Sequence, residues 1–128
     1  MLSCWMVIVL ADDETSISKL RVEVKSFISE RSWEKYHTPK DIAESICVEA
    51  AELLQLFQWI TPKESEDLSK DKTKIQRIKE ELSDVIIYCL SMANAIDIDL
   101  SDAILEKLEQ NKNKYPTDLY KGRAYLDH

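Results

Sequence analysis

Two carboxylate pairs, Glu49-x-x-Glu52 and Glu81-x-x-Asp84, lie in apolar, helix-forming runs of the chain. An unpaired anion is costly in such surroundings, so a positive partner between the pairs is the natural reading. On a helix of about 3.6 residues per turn, positions three apart share a face with Cβ atoms roughly 5 to 6 Å apart, so each pair can grip one hard cation from one side. Two such helices packed face to face would make a four-carboxylate metal cage.

A helical wheel tests these acids against ordinary surface charges. Ile75, Ile78, Leu82, Val85, Ile86, Cys89, Leu90, Met92, Ala93 and Ile96 fall on one side of their helix, as a core-facing stripe should. Glu81 lies inside that stripe, and Asp84 at its edge, roughly 60° round. Glu80 points well away. Glu49 and Glu52 share an arc with Asp41, Glu44, Ser45, Gln55 and Gln58, which alone reads as a solvated face, although Val48, Leu56 and Trp59 interrupt it. An acidic pair of this spacing ordinarily means wet surface. Glu81 in its apolar sector argues otherwise.

The elements that must position these residues can be read along the chain. A first helix is expected from about Thr15 to Arg31, with Ile17, Leu20, Val24, Phe27 and Ile28 as its stripe. Ser32 to His37 is a loop rich in flat rings. Thr38-Pro39-Lys40-Asp41 supplies an N-cap, a proline at the first helical position and an acid at the third, starting a second helix that is expected to reach about Ile60. Thr61-Pro62-Lys63-Glu64 repeats the signal, and the polar residues 63–72 form a short helical turn or mobile loop. A third helix is expected from about Asp71 to Ile96. Ser101 can cap a fourth, which Pro116 stops just after Tyr115. The expected organisation is a flexible or overlong start over 1–14, with Met6 as an alternative initiator, one helical domain over 15–116, and a tail over 117–128.

Composition narrows the partners. A chain of 128 residues is one domain able to bury a core, and with a single Gly and three Pro it has few places to turn, which favours helices over hairpins. The net charge of −7 argues against a nucleic-acid polymer, and it admits a phosphorylated substrate only if metal ions carry the opposing charge. Cys4, Cys47 and Cys89 form no C-x-x-C and read as small buried hydrophobes in a reducing cytoplasm. No stretch is suited to span a membrane.

Residue counts also narrow the chemistry. The chain holds only His37 and His128, with no E-x-x-H, so a ferritin-like di-iron centre lacks its nitrogen ligands. Zinc spacing, a Gly-rich phosphate loop and a Ser-His-Asp set are all undetectable. Oxygen-only ligation suits Mg²⁺ or Mn²⁺.

A family resemblance rests on four segments in order. They are Trp33-Glu34-x-Tyr36-His37-x-Pro39, the Glu49/Glu52 helix ending Phe57-Gln58-Trp59, Glu80-Glu81-Leu82-Ser83-Asp84-Val85-x-x-Tyr88, and Lys107-x-x-x-Asn111-x-x-Lys114-Tyr115-Pro116. Over about residues 20–123 the chain resembles the MazG-like all-α nucleoside triphosphate pyrophosphohydrolases, and within them the dCTP pyrophosphatase branch. The resemblance implies an all-α bundle of four main helices, assembled as a dimer or dimer of dimers. It implies hydrolysis of a nucleoside triphosphate, dCTP or a related pyrimidine, to the monophosphate and pyrophosphate, with Mg²⁺ on Glu49, Glu52, Glu81 and Asp84.

By the same resemblance Asn111 and Lys114 contact phosphate, Lys114 standing where many relatives carry Arg. A Lys there is a point charge without the bidentate grip, and it also suits an exposed helix C-terminus. Lys107 has that second role more plainly. Trp33, His37 and Trp59 resemble base-pocket residues, Tyr88 one at the sugar edge, and Lys121 with Arg123 a tail that closes over phosphates. Other readings are a catalytically silent helical interaction protein, which explains the stripes but not Glu81, and a related pyrophosphatase for damaged nucleotides or phosphoribosyl-ATP.

Overall fold

The computed structural model describes residues 10–124, whose regular elements are all helical, with no strand among them. They fall into two compact units that divide after Asp97.

The first unit opens with one helical turn, α1 (Ala11–Glu14), and then α2 (Ile17–Glu30). Residues 1–9 of the expected flexible start lie outside the described residues. Ser16 caps α2 by accepting from the Lys19 N–H at 3.0 Å. At the other end the Trp33 N–H reaches the Ile28 carbonyl at 3.1 Å and the Ser32 N–H that of Ser29 at 3.0 Å. This paired closure usually places glycine where Ser32 stands at φ 52. A 3₁₀ turn, Glu34–Tyr36, fills the ring-rich loop.

The next helix, α3 (Pro39–Gln55), starts as the sequence signals: Thr38 accepts from the Asp41 N–H while the Asp41 carboxylate accepts from the Thr38 N–H. Its expected end near Ile60 is corrected to Gln55. Beyond it the bonds Leu56 to Leu53 and Phe57 to Leu54 span three residues rather than four, winding the chain into turns. Pro62 holds Thr61 extended at ψ 159, so a continuous helix has nowhere to go. The same reciprocal cap, Thr61 with Glu64, starts α4 (Pro62–Glu66), and a 3₁₀ turn over Leu68–Lys70 follows. Asp71 then caps α5 (Lys72–Ile96), accepting from the N–H groups of Thr73 and Lys74.

α5 packs against both α2 and α3. Ile42 of α3, Leu90 and Ala93 of α5, and Leu68 between them are the buried apolar core of the described residues. Burying a side chain the size of Ile42 is worth about 1.5 to 3 kcal/mol. The expected apolar stripe of α5 is only partly core. Leu82 and Ile86 are 48% and 47% exposed, because their flank of the helix lines an open cavity instead of a neighbouring helix. Cys47, expected to be buried, is exposed on α3, Cys89 is half-buried, and Cys4 lies outside the described residues.

The second unit contains α6 (Leu100–Lys114) and α7 (Thr117–Tyr120). Asp99, not Ser101, caps α6, its carboxylate accepting from the Asp102 N–H at 2.9 Å. An anion at the N-cap also meets the positive end of the helix dipole, which a serine two residues later does not. Pro116 follows the C-cap Tyr115, as expected, and the expected tail instead begins with the single turn of α7. Among the described residues no helix is long and apolar enough to cross a membrane.

Candidate metal centre and aromatic cavity

Packing α3 on α5 brings Glu49, Glu52 and Glu81 together, one carboxylate oxygen from each lying within 4.8 Å of the others. Glu49 and Glu81 are half-buried and Glu52 is exposed. The Oε2 atoms of Glu49 and Glu81 are buried with no hydrogen-bond partner. A carboxylate only accepts, so these lone pairs call for a donor or a cation, and a group of oxygen donors with no nitrogen or sulfur suits Mg²⁺ or Mn²⁺. The residues present therefore fit a divalent metal.

The electrostatics agree with the geometry. Burial, then the neighbouring Glu52, then the charges of Asp84 and Glu81 push the Glu49 carboxyl up from 4.5 to about 7. Burial and the charges of Glu52 and Asp84 raise Glu81 as well, with Arg77 opposing them. Asp84 is exposed and stands outside the group of three, yet its charge acts on both half-buried acids. The expected four-residue cage is thus three converging carboxylates with a fourth acid nearby.

Asp84 also lines a cavity of about 1050 Å³ whose walls are mostly carbon, from Leu20, Val24, Phe27, Leu82 and Ile86 among others. Trp33, His37 and Tyr88 line the same space. Trp33 meets Phe27 edge-on with ring centroids 5.8 Å apart, and the Arg31 guanidinium lies 3.9 Å over the Phe27 ring. His37 stacks on Tyr88 at 6.3 Å and 16°, its Nδ1 2.8 Å from the Trp33 carbonyl oxygen. Three of the four ring residues singled out in the sequence therefore share one cavity. Trp59 is not among its lining residues and is 88% exposed on the turns after α3. A second space, of about 530 Å³, lies against Glu49 and is lined by Lys35, Tyr36, Asp41, Glu44, Ser45 and Val48.

Asn111, Lys114 and Lys121 all belong to the second unit. Asn111 is half-buried near the end of α6, and Lys114 places its ammonium 5.3 Å from the Tyr115 ring centroid. Lys121 is exposed after α7, beside Gly122 at φ 79.

Sequence reasoning missed the groups that brace this site. Arg21 and Asn94 tie α2 to α5, and Arg31 backs Phe27 behind Trp33. Asn94 carried a signal of the kind that exposed Glu81, a polar side chain among Leu90, Met92, Ala93 and Ile96.

Comparison with known proteins gives a consistent picture. The chain is 32% identical over 111 residues to dCTP pyrophosphatase 1 of Mus musculus and 34% identical to that of Homo sapiens, covering 87% of this chain and 65% of each relative. It thus spans about two-thirds of the length of these relatives. A crystal structure of a pyrophosphatase from Archaeoglobus fulgidus is 36% identical, with a TM-score of 0.69, covering 87% of this chain and 98% of that one. The pattern of the MazG-like family matches residues 44–124, a stretch that holds both acidic pairs and more than half of the chain. On that match the chain belongs to the MazG-like family.

Proposed function

We propose that this protein is a divalent-metal-dependent nucleoside triphosphate pyrophosphohydrolase, releasing pyrophosphate and leaving the monophosphate. The observation that carries the reading is the convergence of Glu49, Glu52 and Glu81 with two buried carboxylate oxygens lacking any partner. The names of the mammalian relatives and of the archaeal structure support the reaction class, and the former support dCTP or a related pyrimidine as substrate.

Glu49, Glu52 and Glu81, joined by Asp84, would hold Mg²⁺ or Mn²⁺. A bound metal of this kind supplies neutralisation of the polyphosphate charge and polarisation of the attacking water. Glu49 or Glu52 accepts the proton of that water through an oxygen not engaged elsewhere. Trp33, Tyr88 and His37 receive the base in their common cavity, the rings offering flat apolar faces. Asn111, Lys114 and Lys121 take the phosphates, a role supported by the family resemblance.

Association into a homodimer or a pair of dimers is part of the proposal. Leu20, Val22 and Ile86 are 42%, 60% and 47% exposed on α2 and α5, more apolar surface than a lone small domain ordinarily leaves wet. A cytoplasmic location rests on the unpaired cysteines. Hydrolysis of a panel of standard and damaged nucleoside triphosphates and phosphoribosyl-ATP, with products identified, tests the reading. Hydrolysis of none of them, or orthophosphate as the primary product, would overturn it.

A further inference from the structure

The turn after α2 serves two open spaces. Trp33 and His37 line the large carbon-walled cavity, while Lys35 and Tyr36 between them line the smaller space of about 530 Å³. The other wall of that space is one face of α3, where Asp41, Glu44, Ser45, Val48 and Glu49 recur at helical spacing. The two spaces share no lining residue, and the acids of the metal centre border both, Asp84 in the large one and Glu49 in the small. A substrate whose scissile bond sits at these carboxylates therefore has room for a group at each end.

The lining of the smaller space selects the kind of group. Asp41 is engaged in the α3 cap, its Oδ2 accepting from the Thr38 N–H at 3.2 Å and from the Thr38 hydroxyl at 2.7 Å. With Glu49 given to a metal, the charges left over are Lys35 and Glu44, which offset each other. A free terminal phosphate would find one cation there against two carboxylates, a poor match. An uncharged, hydroxylated group finds donors and acceptors in Lys35, Glu44 and Ser45, and a flat ring in Tyr36, which is 61% exposed.

We propose that the protein has a second activity, hydrolysis of nucleoside diphosphate sugars, with the sugar seated against Lys35, Tyr36, Glu44 and Ser45. The proposal rests on the pyrophosphohydrolase reading for the metal centre and for the base in the large cavity. The oxygen of water bonds to the α-phosphorus, the bond from that phosphorus to the bridging oxygen breaks, and the bridging oxygen keeps the electron pair and leaves on the β-phosphate. The products are the nucleoside monophosphate and the sugar 1-phosphate, and the proton of the water passes to a carboxylate and on to solvent. A space that merely holds solvent would leave the sugar a bystander.

The test incubates the protein and Mg²⁺ with CDP-glucose, dCDP-glucose and dTDP-glucose beside dCTP, and reads the products by phosphorus NMR. Nucleoside monophosphate and glucose 1-phosphate are expected from at least one of the sugar nucleotides. If none is cleaved while dCTP is turned over, this proposal alone is overturned; if dCTP is untouched as well, the pyrophosphohydrolase reading goes with it. Glu44→Ala should raise KM for the sugar nucleotide about fivefold to tenfold, the worth of one hydrogen bond, and leave that for dCTP within about twofold. An equal rise for both, or for neither, would contradict the seating. Saturation-transfer NMR of dCDP-glucose in excess chelator reads that seating apart from turnover. The glucose ring protons should receive magnetisation from the protein, and glucose protons that receive none would contradict it.

Discussion

Asn94 of α5 and Arg21 of α2 exchange hydrogen bonds in both directions. The Asn94 amide donates to the Arg21 carbonyl at 3.0 Å, and its Oδ1 accepts from Arg21 Nε at the same distance, while a second guanidinium nitrogen reaches the Ala93 carbonyl at 3.1 Å. This clamp holds two walls of the aromatic cavity together. Asn94→Leu keeps the volume but removes one acceptor from a half-buried guanidinium and the donor to the Arg21 carbonyl, so a loss of about 1 to 2 kcal/mol in urea unfolding is expected. A loss below about 0.5 kcal/mol would show that the clamp is ornamental.

Ser32 occupies the left-handed position of the α2 closure at φ 52. An L-residue pays a steric penalty there that glycine avoids, only partly offset by the greater freedom of glycine in the unfolded chain. Ser32→Gly is expected to stabilise the fold by about 0.5 kcal/mol, measured by denaturant midpoint. Destabilisation would mean that the serine side chain makes a contact that matters more than the backbone.

The half-buried acids set a pH dependence whose direction follows from linkage. Glu49 titrates at about 7 in the folded protein against an ordinary 4.5, so across that interval the folded state holds a proton the unfolded chain has released. Stability of the metal-free protein should therefore fall as pH rises from 4.5 to about 7 and then level. Mg²⁺ or Mn²⁺, binding only the folded carboxylates, should reverse the trend. Thermal melts across that range with chelator and with metal check both halves, and metal-free stability that rises with pH would contradict the first.

Much of this arrangement was legible in the sequence, and the reasons differ by residue. Thr38 and Thr61 begin their helices as expected because capping is local chemistry, settled within four residues. Glu81 was legible because a carboxylate in an apolar stripe is costly. The end of α3 was not, since the chain tightens into turns ahead of Pro62 where apolar residues continue unbroken. Ser101 and Asp99 were both competent caps, and the anion took the position. Cys47 looks like core by residue type and Trp59 resembles a base-pocket ring, but which neighbours cover or face a side chain is something a helical period alone does not state.

Trp33 and Trp59 should respond differently to truncation. Trp33 lines the cavity, so Trp33→Ala should weaken nucleotide binding by about 1 to 3 kcal/mol, the range for a base stacked on an aromatic ring. Trp59 is 88% exposed, so Trp59→Ala should leave fold stability within about 0.5 kcal/mol of wild type. Calorimetry of nucleotide binding and urea unfolding of both variants separate the two roles. Unchanged binding in Trp33→Ala would mean that its ring only packs against Phe27.

The central claim is that the Glu49, Glu52 and Glu81 carboxylates hold the metal that makes pyrophosphate release possible. Phosphorus NMR of dCTP with wild type and Glu81→Gln, in Mg²⁺ and in excess chelator, addresses it most directly, with metal-free thermal melts confirming that the variant is folded. Wild type should yield dCMP and pyrophosphate in Mg²⁺ only, whereas Glu81→Gln should be inactive yet at least as stable as wild type without metal at neutral pH, having lost a buried anion. Turnover that survives the chelator, or an active Glu81→Gln, would contradict the account.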